Sequence, residues 1–449
     1  MKHSFWFICL VLAASMLMVF RIEIDGKSIL PLFLLVIAIA WTVMDGISIA
    51  KKRYKVRRKY YRLDIIVGVM SLMEIIEVIV NISGKGITDY SGYSHQLLMI
   101  SLTLFYFLIT RENVFRPFYL DLILYSGLLI MSVLLLGNVA STQVGAYIRF
   151  WQNPVETASY LMLIGVIATV QFSGSNEKMQ LWFYGLTAEL SFILLAINQE
   201  TVSLWTMLLV LLIMPIILRP TGILCKRVAQ LVFLLEFTLS VVALVANYGK
   251  LFQIECTFDL EHYIYLDILL ALGGILYFTC MDRLPEDVDL NKVQMKGLYR
   301  IDRRVVSIMA VSGFLLMWSG SIWEELPEGI IGVRVIRSFT VPFWQSVGQQ
   351  KEILKQFVEQ NGIAEIGFLI IIGIFMGEWI RRRYSWNYPL HGRLCIVAIA
   401  LLLQLLLGQF SENTFVVMTI LTVYAMGFEE REQKVKIISG NRKKKSEEI

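Results

Sequence analysis

Apolar runs of bilayer length recur from one end of the chain to the other, separated by short connectors rich in Lys and Arg. They fall near 4–20, 29–50, 63–81, 96–110, 119–137, 157–173, 181–197, 202–218, 229–248, 263–281, 304–320, 364–380, 394–409 and 414–428. At about 1.5 Å per helical residue such runs match the roughly 30 Å of a hydrocarbon core. Lipid gives an open backbone nothing to hydrogen-bond to, so runs of this length predict helices and not a barrel. The expected fold is an all-α, polytopic transmembrane helical bundle of about fourteen spans. The narrowest separations are the hairpin at Asn198 to Thr201 and the link at Gln409 to Asn413; losing one hairpin gives twelve spans. The first run has no A-x-A-like site after it and a second span follows at once, so it reads as an anchor. Residues 1–428 are expected to form a single integral membrane domain, and 429–449, ending NRKKKSEEI, a disordered basic tail.

Charge sets the sidedness. The cluster KKRYKVRRKYYR, Lys51 to Arg62, marks a cytoplasmic connector, and spans alternate from there. Its role is topological, touching anionic lipid, not nucleic-acid binding. Of the 41 Lys and Arg, only nine then face outward: Arg21, Lys27, Lys85, Arg149, Lys250, Arg334, Arg337, Lys351 and Lys355. The same alternation puts both termini in the cytoplasm and the protein, multi-pass, in the cytoplasmic (inner) membrane. Trp318, Trp323, Trp379 and Trp386 sit near span ends, where an aromatic belt places them.

One long polar interruption stands out, Ser319 to Gly362, and the alternation makes it extracytoplasmic. Within it, Arg334 and Arg337 lie three apart in IIGVRVIRSF and share a face if that piece is helical. Arg149 lies in GAYIRFWQNPVETASYLMLIG, on the way into the 157–173 span. Positive-inside bias disfavours outward arginines at a membrane edge. A guanidinium fork there suits phosphate oxygens in shape and charge. The plainer role is a snorkelling side chain that holds lipid headgroups or pairs with Glu324, Glu325 or Glu328. Further along the loop, PFWQSVGQQKEILKQFVEQ places Phe343, Val347, Leu354 and Phe357 at helical spacing opposite Gln349, Glu352, Lys355 and Glu359. It predicts a short amphipathic helix on the outer surface, opened by Pro342, which covers a cleft or simply packs.

Composition agrees with a membrane protein: 449 residues, 57% hydrophobic and 17% charged, with mean hydropathy +0.64. The five cysteines, Cys9, Cys225, Cys256, Cys280 and Cys395, have neither disulfide-framework nor metal-ligand spacing, so no metal and no cofactor is expected. Glu74, Glu77, Glu189, Glu236 and Asp267 fall inside spans, and Glu74 and Glu77 project from one helix face. Ionisable groups there are costly and point to function by default. Their plain role is hydrogen bonding inside the bundle; their sharper one is an ion-coupled exporter or flippase of lipid-linked oligosaccharide. Against the exporter stand the absence of a repeat dividing the chain into halves and the long late loop. A sensor or assembly scaffold fits the basic tail and leaves the outward arginines unexplained.

The run FVEQNGIAEIGFLIIIG, Phe357 to Gly373, resembles the end of the large outer loop and the following span in the O-antigen polymerase and O-antigen ligase family. Arg149 with Asn153-Pro154 and Gly165 resembles that family's other outer-loop signature, an Arg, an Asn-Pro-like turn and a Gly in the next span. The likeness covers roughly residues 140–430. It departs from the ligases in having no His in the late loop, the histidines being His3, His95, His262 and His391, with Gln350-Lys351 in about that place. Asn198-Gln199-Glu200 also replaces a Ser-Arg pair common in the family; both departures favour the polymerase side. The resemblance implies a metal-independent glycosyltransferase joining polyprenyl-pyrophosphate-linked oligosaccharide repeat units at the outer membrane face, in surface polysaccharide biosynthesis. It implies Arg149, Arg334, Arg337 and Glu359 as catalytic residues, and Asn153, Glu156 and Lys351 as substrate-binding ones. Partners would be the lipid-linked glycan donor and acceptor, the bilayer, and a chain-length regulator or flippase, with no nucleic acid.

Overall fold

A computed structural model of the chain describes residues 23–24, 27–50, 62–85, 90, 93–112, 118–140, 143–144, 154–175, 177–198, 201–218, 255–256 and 389–406, together with parts of 223–238. The described part is helical apart from four two-residue strands. These are β1 (Glu23–Ile24), β2 (Lys27–Ser28), β3 (Gln143–Val144) and β4 (Glu255–Cys256). The helices are α1 (Leu30–Ala50), α2 (Arg62–Lys85), α3 (Ser94–Glu112), α4 (Phe118–Ala140), α5 (Pro154–Gly174), α6 (Lys178–Asn198), α7 (Thr201–Ile217) and α8 (Pro389–Leu406). Proline opens three of them: Pro31 in the first turn of α1, Pro154 at the start of α5 and Pro389 at the start of α8. A first-turn N–H has no intrahelical acceptor, so a residue without one costs nothing there. Pro215 instead falls in the last turn of α7, which stops two residues later.

Within α2, α5 and α6, the stretches Val67–Gly84, Thr157–Gly174 and Lys178–Asn198 are long and apolar enough to cross a membrane. Shorter apolar stretches lie at Leu30–Met44, Gln96–Leu108 and Leu120–Leu136. Helices of this kind are those of a membrane protein. The tight hairpin at 198–201 does separate two helices, α6 ending at Asn198 and α7 beginning at Thr201. The runs at 4–20, 263–281, 304–320, 364–380 and 414–428, the link at 409–413 and the tail lie outside the described residues.

The described helices fall into two compact units, with the division inside α4 between Ile123 and Leu124. In the first unit α3 packs against both α1 and α2. Leu30, Leu34, Ala38 and Trp41 recur at three- and four-residue spacing along the buried face of α1. Trp41 meets Phe105 of α3 edge-on, ring centres 6.2 Å apart. Ser101 of α3 donates to Leu97 O at 2.6 Å, and its hydroxyl also lies 3.4 Å from Pro31 O of α1. Tyr106 of α3 donates to the Asp64 carboxylate in the first turn of α2 at 3.0 Å. That bond fixes an antiparallel register between α2 and α3. The β1–β2 pair is antiparallel, Glu23 opposite Ser28.

The second unit closes around α5. In its spanning stretch 94% of residues are buried, against 11% for that of α2. Its pairing with α6 is the most extensive among the described helices, and α7 and α8 also pack on it. Small residues make this crowding possible: Ala158, Ser159, Gly165, Ala168 and Ser173 let neighbours approach closely. A Cβ on Gly127 of α4 would come within 2.7 Å of Ile164 Cδ1, so α4 too presses on α5. Tyr125 of α4 and Phe183 of α6 stack with ring centres 4.5 Å apart.

At the C-terminal end of α5 two arginines converge from other segments. Arg393, in the first turns of α8, donates to Gln171 Oε1 and to Gly174 O, both at 2.9 Å. Arg227 lies over the Phe172 ring at 5.4 Å and donates to Gln230 at 2.9 Å. Cations are favoured there, where terminal carbonyls lack intrahelical partners and the helix dipole is negative. Gly392 meets Leu218 beyond the end of α7, its would-be Cβ 2.7 Å from Cδ2. The ends of α5 and α7, the start of α8 and Arg227 thus share one end of the unit. Sequence charge assigns all four to one membrane face.

Gly174 is where the Arg393 guanidinium lies, so a Cβ there would run into it. Gly174→Ala and Arg393→Met are each expected to lower stability by about 1.5–3 kcal/mol, the loss of hydrogen bonds to a charged donor. The double variant should be little worse than either single one, because both remove one interaction. Thermal unfolding of the full-length protein in detergent checks this; fully additive losses would contradict the arrangement.

Candidate functional site

Pro154 biases the residue before it away from helix and starts α5 itself. Glu156, expected on the link into the span, is therefore a first-turn residue of α5. Arg149, five residues before Pro154, lies outside the described residues, as do Asn153, Arg334, Arg337, Lys351 and Glu359. So do Glu324, Glu325, Glu328 and the amphipathic stretch after Pro342. None of the expected guanidinium groups is therefore among the described residues, which include α5, the helix that follows Arg149 in the chain.

That helix is rigid at Gly165. A Cβ there would collide with the Ser191 hydroxyl of α6 and come within 3.3 Å of Met207 Cε of α7. Ser191 Oγ, at this crossing, donates to Leu161 O of α5 at 2.7 Å. Gly165 is thus the point where α5, α6 and α7 meet, and it has a packing reason to be glycine. The connector before α5 is held a second way: β3 pairs in parallel with β4, Gln143 opposite Glu255 and Val144 opposite Cys256.

Of the carboxylates expected inside spans, Glu74 and Glu77 lie on α2 and Glu189 on α6, while Glu236 and Asp267 are outside the described residues. Glu189 Oε1 accepts from Thr238 Oγ1 at 2.7 Å, and Oε2 has no hydrogen-bond partner among the described residues. Ser159 Oγ and Gln404 Nε2 are buried and equally unmatched there. Counting along the helices from Ser191–Leu161 and from Arg393–Gln171 puts Glu189 about one turn nearer the Arg393 end than Ser159 and Gln404, which share one level. That level is about 16 Å from the Arg393 end, at eleven residues of helical rise. No group of three or more His, Cys, Asp or Glu placed to hold a metal occurs among the described residues.

Arg393 and Arg227 carry no signal in the sequence that separates them from the other basic residues of their connectors. Their partners on α5 are remote in the chain, and only the packing shows the pairing.

Gly165→Ala is expected to push the Ser191 hydroxyl off Leu161 O and to destabilise by about 1–3 kcal/mol, the usual range for overpacking. Adding Ser191→Ala should recover part of that loss, because the colliding oxygen is gone. Thermal unfolding of the single and double variants decides it, and a double variant less stable than Gly165→Ala alone would contradict the crossing. No protein-family profile, curated protein or solved structure matches this chain.

Proposed function

We propose that this protein is a membrane glycosyltransferase of the polymerase type. It joins polyprenyl-pyrophosphate-linked oligosaccharide units at the outer face of the cytoplasmic membrane, in a bundle of about fourteen spans with both termini inside. The observation that carries the reading is the set of outward arginines, Arg149 with Arg334 and Arg337, kept at the membrane edge against the positive-inside bias. Two structural facts support it. The connector bearing Arg149 runs directly into α5, the most buried spanning stretch of those described. Through β3 and β4 that connector pairs with the one around Glu255, which the charge alternation puts on the same outward side.

The chemistry needs little beyond placement. An acceptor sugar hydroxyl attacks the anomeric carbon of the donor, and the bond from that carbon to the pyrophosphate oxygen breaks. The bonding pair leaves with the lipid pyrophosphate, and the hydroxyl proton passes to a base, for which Glu156, Glu324, Glu325, Glu328 and Glu359 are all candidates on the outward side. Negative charge grows on the leaving group where water is scarce. Fixed guanidinium forks bind it more strongly in the transition state than in the ground state. Asn153 and Lys351 complete the set by holding sugar or phosphate oxygens.

Arg149→Ala and Arg334→Ala should each cut chain elongation at least about a hundredfold, the scale of losing one preorganised donor, with membrane insertion unchanged. Arg→Lys at either position should also fail, since an ammonium cannot reproduce the bidentate fork. Glycan length profiles from cells carrying each variant provide the readout, and normal lengths in both would remove the site. In cells lacking the protein, single lipid-linked units should stand on the outer leaflet. Their confinement to the inner leaflet would mark an exporter instead.

A further inference from the structure

Helix α2 turns its polar side inward. Asp64, Val67, Ser71, Glu74, Val78 and Asn81 recur at three- and four-residue spacing and so share one face. On that face Asp64, Val67 and Glu74 are buried, Glu74 to 2% exposure. Around it Ile65, Val69, Leu72, Ile76, Ile79 and Val80 are between 51% and 73% exposed. An apolar surface of that extent on a helix of spanning length belongs against lipid. The buried stripe is the side that meets α3.

Two carboxylates on this stripe are treated differently. Asp64, in the first turn, accepts the Tyr106 hydroxyl at 3.0 Å and is a structural group. Glu74 has no hydrogen-bond partner for either carboxylate oxygen among the described residues. It stands twelve residues after Arg62 and eleven before Lys85, about 17 Å of helical rise from each end and so near mid-span. Glu77 is one turn further on and partly exposed. Ionised, an occluded and unmatched carboxylate costs several kcal/mol. That cost disappears when a proton or a sodium ion sits on its oxygens.

We propose that Glu74, with Glu77 one turn away, is an exchangeable site for a monovalent cation in the middle of the α2 span. The occupant is a proton or a sodium ion. The site stands apart from the transferase reading and depends only on α2 as a membrane span. Among the described residues the charged and titratable ones on α2 and α3 are few. On α2 they are Arg62, Asp64, Glu77 and Lys85, and on α3, the described helix packed against it, His95, Tyr106, Arg111 and Glu112. The Tyr106–Asp64 register puts His95 and Gln96 at the backbone level of Glu74 and puts Arg111 and Glu112 beyond the Asp64 end.

The test is carbodiimide labelling of the full-length protein in liposomes, read by peptide mass spectrometry. Dicyclohexylcarbodiimide modifies protonated carboxyls within the membrane. Labelling at Glu74 should fall at least about tenfold between pH 5.5 and pH 9, as a single exchanging group loses its proton. Slower labelling in sodium than in choline at equal ionic strength identifies sodium as an occupant; an equal rate together with the pH dependence identifies the proton alone. Glu74→Gln should lose the label while eluting as a monodisperse protein. Where that variant fails to fold, the pH and sodium series on the unaltered protein decides alone. No labelling at Glu74, or labelling indifferent to both pH and sodium, would overturn the site.

Discussion

Lipid supplies no hydrogen bonds, and that constraint organises everything described here. The backbone answers it by forming helices. Side-chain hydroxyls answer it by folding back onto their own helix: Thr42 donates to Ala38 O, Ser132 to Leu128 O, Thr187 to Phe183 O and Thr206 to Val202 O, all at 2.7–2.8 Å. Thr169 and Ser173 of α5 do the same to carbonyls three residues back. A hydroxyl satisfied in this way is nearly as inert in packing as a methyl group. This is how α5 keeps so many polar residues and still lies at the centre of its unit.

Against that background the polar groups that reach between helices carry most information. Tyr106 to Asp64, Ser191 to Leu161, Thr238 to Glu189 and Arg393 to the end of α5 each fix a register that apolar packing leaves loose. Leucine, isoleucine and valine surfaces slide past one another at little cost, whereas a hydrogen bond in hydrocarbon has no water to replace it. The registers hold α5 steady. The proposed transferase, gripping a departing pyrophosphate, would need such a base. Groups left unmatched on the inner faces, Glu74 foremost, are where the bundle has chemistry to spare.

The sequence was most legible where one constraint dominated. Runs expected at 29–50, 63–81, 96–110, 119–137, 157–173, 181–197 and 202–218 correspond to α1 through α7 within a few residues, because span length is set by bilayer thickness. Helix starts at Pro31, Pro154 and Pro389 follow from local chemistry. What each helix turns inward was harder to see. In α5 apolar and small residues occupy every face, so no stripe distinguishes core from lipid, and its central place emerges only from packing. Gly127, Gly165 and Gly174 look alike in the chain, yet each accommodates a different neighbour: Ile164, Ser191 and Arg393. Of the candidate site, the sequence offers the arginines only through the expected charge bias. Their mutual distance was not legible, since it depends on how remote connectors fold over the bundle, and those connectors lie outside the described residues.

That distance is the central quantity. Spin labels introduced at positions 149 and 334 of the full-length protein in lipid, with the five native cysteines replaced by alanine, allow it to be measured by double electron–electron resonance. A single short-distance population, within reach of two arginine side chains on one diphosphate, is the predicted result. Two labels held far apart, or a broad distribution with no short component, would contradict a shared pyrophosphate site.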